Sequence, residues 1–142
     1  MAESKLVMLV DTKRCIACNS CAVACKVENN LPKDIWWNRV MTVGGPHMDA
    51  PAGTYPNLEM YNVTVACQHC ENPACVKVCP VGATYKDPET GVVRQDYDKC
   101  IGCRMCMAAC PYGARIQIKK TGVIEKCRFC WYEGEPGNPP RC

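Results

Sequence analysis

Ordinary core-forming side chains are scarce in this chain. Leucine, isoleucine, valine and phenylalanine together supply 25 of its 142 residues, and only one of these is phenylalanine. A shortfall on that scale argues against a domain held by aliphatic packing alone. No apolar run approaches the ~18 residues that a membrane-spanning helix needs. Residues 6–10 (LVMLV) are apolar but are closed by Asp11, and they are too few for the hydrophobic region of a secretory signal. There is no Ser/His/Asp set, no glycine loop to cradle phosphate and no nicotinamide-binding fingerprint, so the residues present no catalytic machinery. The formal charge of +3 is small, and lysine and arginine are scattered rather than gathered into a stripe. The low charge speaks against disorder and the scatter against nucleic-acid binding.

Cysteine, by contrast, is abundant, with 15 residues. An odd number without a signal segment does not suit a secreted disulfide scaffold. The cysteines fall into four blocks. Cys100, Cys103, Cys106 and Cys110, followed by Pro111, have the C-x2-C-x2-C-x3-C-P spacing of bacterial [4Fe–4S] ferredoxins. Three thiolates three residues apart can wrap one cubane, and Gly102 frees the backbone between the first two. Cys110 lies one helical turn past Cys106, about 6 Å along the axis. In two-cluster ferredoxins this fourth cysteine serves the neighbouring cluster. The same pattern recurs as Cys15, Cys18, Cys21 and Cys25, where Ala17 stands in the place of Gly102. It recurs again as Cys67, Cys70, Cys75 and Cys79-Pro80, and as Cys127, Cys130 and Cys142. Recurrence of this kind reads as internal duplication. Because ligand thiolates are anionic, the loaded protein is expected to be acidic despite its formal charge. Zinc also uses C-x2-C pairs, but x2 and x3 steps closed by proline are not the usual zinc spacing.

Between the blocks the pattern predicts short elements. Residues 5–11 (KLVMLVD) read as a short buried strand, and 20–28 as a helix stopped by Asn29, Asn30 and Pro32. Residues 36–43 and 58–66 read as strands of a hairpin, with 47–56 as loop. Residues 84–86 and 92–95 read as a second hairpin. Residues 114–118 and 123–126 flank a turn. The expected fold class is α+β, built from short strands and short helices, with cluster binding contributing to folding. Trp36 and Trp37 suit either packing beneath the cluster region or an aromatic docking surface. His69 sits between two cysteines, where a hydrogen bond toward a cluster or plain packing is expected. His47, in a Gly/Pro loop, is expected to be solvated. Lys13, Arg14, Lys26, Lys99, Arg104, Lys126 and Arg128 flank cysteines, either as solvated charge or as cations that raise a cluster's potential.

The four-block pattern resembles the iron–sulfur subunit of dimethyl sulfoxide reductase-type molybdopterin oxidoreductases. The likeness includes the x4 gap between Cys70 and Cys75, the x11 gap between Cys130 and Cys142, Cys67-Gln-His-Cys70 and Cys110-Pro-Tyr-Gly113. It implies two intertwined bacterial ferredoxin-like modules. Residues 67–113 form the inner one, residues 1–30 and 114–142 the outer one, and residues 31–66 a β-hairpin insertion. It implies four [4Fe–4S] clusters. One is held by Cys67, Cys70, Cys75 and Cys110, and a second by Cys79, Cys100, Cys103 and Cys106. A third is held by Cys25, Cys127, Cys130 and Cys142. The fourth is held by Cys15, Cys18 and Cys21, its last ligand expected four residues beyond Cys142 in a longer natural chain. The implied function is single-electron transfer between a quinol-linked or soluble donor and a large molybdopterin catalytic subunit, with no catalysis by this chain itself. The implied partners are that subunit and a membrane quinol-oxidising subunit. The implied place is cytoplasmic or membrane-associated, or exported with a signal-bearing partner. The alternative is a standalone polyferredoxin, or the electron-transfer subunit of a hydrogenase or formate dehydrogenase complex.

Overall fold

The computed structural model describes residues 7–47, 50–130 and 139–142. Its one helix of more than a single turn is α1, Ser20–Glu28. The chain enters it through Asn19, a residue type that tolerates the left-handed conformation it adopts (φ 59°). Its end is closed as a Schellman motif. Asn30 is left-handed (φ 47°), Leu31 N–H donates to Lys26 O at 3.0 Å and Asn30 N–H to Val27 O at 3.2 Å. Pro32 follows, so the helix stops where the sequence predicts. Lys26 Nζ then donates to the carbonyls of Pro32, Lys33 and Ile35 at 2.6, 2.8 and 2.9 Å, and lies 4.2 Å above the ring of Trp36. One ammonium therefore fixes the loop that delivers Trp37 to the interior.

Four antiparallel two-stranded hairpins make up the rest. β1 (Arg39–Val43) pairs with β4 (Tyr61–Val65), Arg39 facing Val65. Between them β2 (Ala52–Thr54) pairs with β3 (Asn57–Glu59). β5 (Thr84–Lys86) pairs with β6 (Val93–Gln95), and β7 (Ile116–Gln117) with β8 (Ile124–Glu125). α2 (Ala74–Lys77) and α3 (Met105–Ala108) are single turns packed against each other, one within each Cys block of the central region, carrying Cys75 and Cys106.

Two expectations need correction. The buried strand at residues 5–11 does not form over its described part. Residues 7–11 are non-repetitive, with Val7 and Leu9 83% and 92% exposed, because no strand among the described residues takes up their backbone groups. Lys5 and Leu6 lie outside the described residues. The expected loop at 47–56 contains β2, which gains a partner in β3; Met48 and Asp49 lie outside the described residues. No helix among the described residues is long and apolar enough to cross a membrane.

The interior matches the composition. Trp37, Leu31, Cys25 and Cys127 form one buried cluster, so half of that packing is cysteine. Ile35 and Cys67 pack against it, and Ala83, Val92, Val93, Ala114, Ile118 and Ile124 are the other large part of the buried apolar set. Trp37 is 3% exposed and Trp36 37%, so one tryptophan of the pair packs and the other sits at the surface.

Candidate metal centres

Each C-x2-C step is built with the same backbone device. The residue before the second cysteine has positive φ in all four blocks: Ala17 (57°), His69 (43°), Gly102 (67°) and Phe129 (63°). After Cys18 and Cys103, Asn19 and Arg104 are left-handed too. Only Gly102 takes this conformation without a Cβ penalty; elsewhere it costs on the order of 1–2 kcal/mol per residue. Consecutive left-handed residues of this kind can turn backbone N–H groups inward, a concave arrangement that binds anionic groups including iron–sulfur centres. Phe129 N–H lies 3.3 Å from Cys127 Sγ. Burial disfavours ionisation of Cys79, yet N–H groups of Thr84, Val81 and Ala83 and the Thr84 hydroxyl hold its thiol below the ordinary value. Cys18 is lowered by the Ser20 hydroxyl, 3.3 Å from its sulfur, and by the Ser20 backbone.

Cysteines distant in sequence are gathered. Burial, with the nearby thiols of Cys127, Cys142 and Cys130, pushes Cys25 up to about 12. Cys127 is pushed to about 11, mainly by burial, with Cys67 and Cys142 among its neighbours. Cys142 is raised by local desolvation and by Cys130 and Cys21. Cys70 is raised by burial and feels Cys67, Cys75 and Cys110. Cys106 is raised by burial; Arg115 opposes this, while Cys100 and Cys75 add to it. Two cavities collect six of the thiols. One, about 300 Å³, is lined by Cys25, Cys67, Cys127 and Cys142 together with His69 and Phe129. The other, about 260 Å³, is lined by Cys15, Cys21 and Cys142 with Asp11 and Arg14. Asn38, Thr64 and Cys142 border both. Cys18, Cys70, Cys75, Cys79, Cys100, Cys103, Cys106, Cys110 and Cys130 line neither.

The donor set fits an iron–sulfur cubane. Among the described residues no three Cys, His, Asp or Glu side chains converge tightly enough to hold one metal ion. Six of the thiols instead line the two wider voids, which a cage of iron and sulfide can fill. Charge supplies a second criterion. Arg115 and Lys126 are 4% and 1% exposed, and neither has a carboxylate partner among the described residues. Arg115 donates to Thr84 Oγ1 at 3.2 Å and Gln95 Oε1 at 3.0 Å, while its Nη2 is buried without a partner. Lys126 donates to the carbonyls of Val93 and Cys127. Burial lowers its pKa, and the thiols of Cys67, Cys127 and Cys75 oppose that. Buried unpaired cations cost several kcal/mol each. Anionic clusters on the thiols that act on these cations, Cys67, Cys75 and Cys127 for Lys126 and Cys106 for Arg115, would supply the missing counter-charge.

Most of the cysteine-flanking cations have structural partners. Arg14 pairs with Asp11, Lys99 with Asp96, and Arg104 donates to Gln117. Arg128 lies over the rings of Trp37 and Tyr97. His47 is exposed, as expected. Sequence reasoning missed Arg115, which no cysteine adjoins; its only signal is an isolated charge in the alternating stretch 114–118.

Left-handed thiol loops, pooled cysteines and buried cations define an iron–sulfur cluster protein. Sequence comparison places it more closely. The 4Fe-4S dicluster domain family matches residues 58–142, and a 4Fe-4S binding domain matches residues 12–28. The chain belongs to the 4Fe-4S dicluster domain family, and [4Fe–4S] clusters are its cofactors. It is 48% identical, over 95% of its length, to a Halobacterium salinarum protein assigned as the iron-sulfur subunit of a dimethyl sulfoxide reductase. It is 47% identical over 89% to the thiosulfate reductase electron transfer subunit of Salmonella typhi. It is 39% identical over 94% to one of the chains of the anaerobic dimethyl sulfoxide reductase of Escherichia coli K12. These matches cover 60%, 63% and 65% of the relatives, so the chain spans less than two thirds of their length. The resemblance read from the cysteine blocks is thereby borne out as similarity to iron–sulfur subunits of such reductases.

Proposed function

We propose that the chain is the electron-transfer subunit of a molybdopterin-dependent reductase complex. It passes single electrons through four [4Fe–4S] clusters between a quinol-linked or soluble donor and a large catalytic subunit, and it is not catalytic alone. Its placement is cytoplasmic or membrane-associated, through a partner subunit that oxidises quinol. Cys67, Cys70, Cys75 and Cys110 hold one cluster, and Cys100, Cys103, Cys106 and Cys79 its neighbour, within an inner module of residues 67–113. Cys127, Cys130, Cys142 and Cys25 hold a third, and Cys15, Cys18 and Cys21 belong to the fourth, in an outer module of residues 1–30 and 114–142. Residues 31–66 are a hairpin insertion, and the modules are intertwined by the exchange of Cys25, Cys79 and Cys110.

The observation that carries this reading is the gathering of Cys25 with Cys127, Cys130 and Cys142, more than a hundred residues away along the chain. The company of Cys110 around Cys70 supports it in the inner module. When bound, each cluster supplies reversible one-electron chemistry. The chain's own residues make that usable. Left-handed loops aim N–H groups at the thiolates, and the buried charges of Arg115 and Lys126 stabilise an added electron. The high Cys25 and Cys127 values mean that thiol protons leave when iron binds, so cluster assembly completes the core.

Anaerobic isolation with its neighbouring subunits tests the proposal. The expected protein is brown with absorbance near ~400 nm, contains iron and sulfide in equal amounts, and copurifies with a large molybdenum subunit. Zinc in place of iron overturns the cofactor assignment. Intact clusters without a molybdenum partner overturn the reductase reading in favour of a freestanding carrier.

A further inference from the structure

His69 sits in the loop of one cysteine pair and lines a cavity that Cys67 of that pair shares with Cys25, Cys127 and Cys142. It lies between Cys67 and Cys70, and its backbone is left-handed (φ 43°). Val93 N–H donates to His69 Nδ1 at 3.0 Å, so Nδ1 carries no proton and the remaining hydrogen is on Nε2. Nε2 is buried and has no hydrogen-bond partner among the described residues. The ring packs edge-on against Phe129, with centroids 5.4 Å apart, and lines the same cavity as Cys25, Cys127 and Cys142. Phe129 holds in the fourth block the position that His69 holds in the second. Val93 also ties the two blocks from its other side, since its carbonyl accepts from Lys126, the residue before Cys127.

A buried N–H donor left without an acceptor is destabilising. Tertiary structure fixes this one in a single tautomer at a void that thiols surround. Resting on the cluster assignment above, we propose that His69 Nε2–H donates a hydrogen bond to the cluster held by Cys25, Cys127, Cys130 and Cys142. His69 is thus a positioning residue that joins the loop of the Cys67 cluster to the cluster of the other module and raises the latter's potential. The direction follows from charge: reduction makes the cluster sulfurs more negative, so a donated hydrogen bond favours the reduced state.

The chain has two histidines, which makes the test specific. The protein is prepared anaerobically with 15N-histidine in a His47→Gln background, and a coupling is assigned to His69 when it is lost in the equally labelled His69→Gln protein. Iron and sulfide content and the reduced-state EPR signals are recorded first; their absence overturns the cluster assignment itself and is distinguishable from failure of the His69 inference. With clusters present, the expected result is a 15N hyperfine coupling in pulsed EPR of one reduced cluster, the one whose signal Cys130→Ser alters. His69→Phe, which keeps the ring's bulk but removes the N–H, is expected to lower that cluster's midpoint potential, and His69→Gln, which retains a donor, to restore part of the shift. Because His69→Phe also strands Val93 N–H, its fold is checked by circular dichroism, and the labelled protein decides the question without that variant. No 15N coupling, or coupling only to the signal that Cys70→Ser alters, overturns the inference.

Discussion

Replacing Gly102 with alanine separates two costs that the cluster loops combine. The first is conformational. Gly102 has φ 67°, where an L side chain costs about 1–2 kcal/mol. The second is a close approach. A Cβ at Gly102 meets the carbonyl oxygen of Gly122 at 2.5 Å. That carbonyl cannot withdraw freely, since it accepts from Gln117 Nε2 at 2.8 Å, and Gln117 Oε1 accepts from Arg104 Nε at 2.7 Å. Forcing an atom into such a contact costs about 1–3 kcal/mol more, for a total of about 2–5 kcal/mol. Gly122 provides the control. It is also left-handed (φ 75°), but nothing lies within 4 Å of a Cβ added there, so Gly122→Ala carries the conformational cost alone. The assay is the rate of cluster loss in urea under anaerobic conditions, followed by visible absorbance, since loss of a bound cofactor makes an equilibrium two-state analysis unsuitable. The difference of ~1–3 kcal/mol corresponds to about five- to 150-fold faster loss from Gly102→Ala than from Gly122→Ala, where the contact is relieved on unfolding. Equal rates for the two variants would refute the close-approach argument.

Other substitutions test the remaining supports. Trp37→Ala opens the cluster of Cys25, Leu31 and Cys127 and is expected to destabilise the loaded protein by about 3–5 kcal/mol. Trp36→Ala, at a half-exposed site, is expected to change stability by under ~1 kcal/mol; denaturation of the two side by side checks the contrast. Arg115→Met removes a buried charge beside Cys106 and its bonds to Thr84 and Gln95. Redox titration is expected to show one cluster potential displaced downward. Asp87 accepts from Glu89 N–H at 3.0 Å and Thr90 N–H at 3.4 Å and pairs with Arg94 at 3.8 Å. Although burial opposes ionisation, these partners hold its carboxyl below the usual range. Its contribution is therefore fully present above that range and lost as pH falls through the depressed value. At pH 7, Asp87→Ala is expected to cost about 1–2 kcal/mol, read from hydrogen exchange in the β5–β6 turn.

The sequence made the cysteine blocks, α1 and the hairpins legible because each rests on local rules. Cysteine spacing, the Asn-Asn stop and alternation need no knowledge of the rest of the chain. The same locality explains the failures. Residues 7–11 have the composition of a strand, but no strand among the described residues pairs with them, and pairing is a tertiary property. Ala17 and Phe129 occupy a conformation that composition assigns to glycine, because geometry at the thiols overrides intrinsic preference. The cysteine-flanking cations looked like solvated charge or tuning groups, yet Lys26 binds three carbonyls and Arg128 lies over aromatic rings. Arg115, the guanidinium nearest the thiol of Cys106, lies nine residues from it and shows itself only in three dimensions.

The exchange of fourth ligands between blocks is the centre of this account, and Cys110 tests it most directly. EPR spectra of the reduced, anaerobically prepared protein are compared for Cys110→Ser, Cys70→Ser and Cys103→Ser. The account predicts that Cys110→Ser alters the same cluster signal as Cys70→Ser and leaves the Cys103 signal in place. If Cys110→Ser instead alters the signal that Cys103→Ser alters, each block holds its own cluster, and the crossed arrangement is wrong.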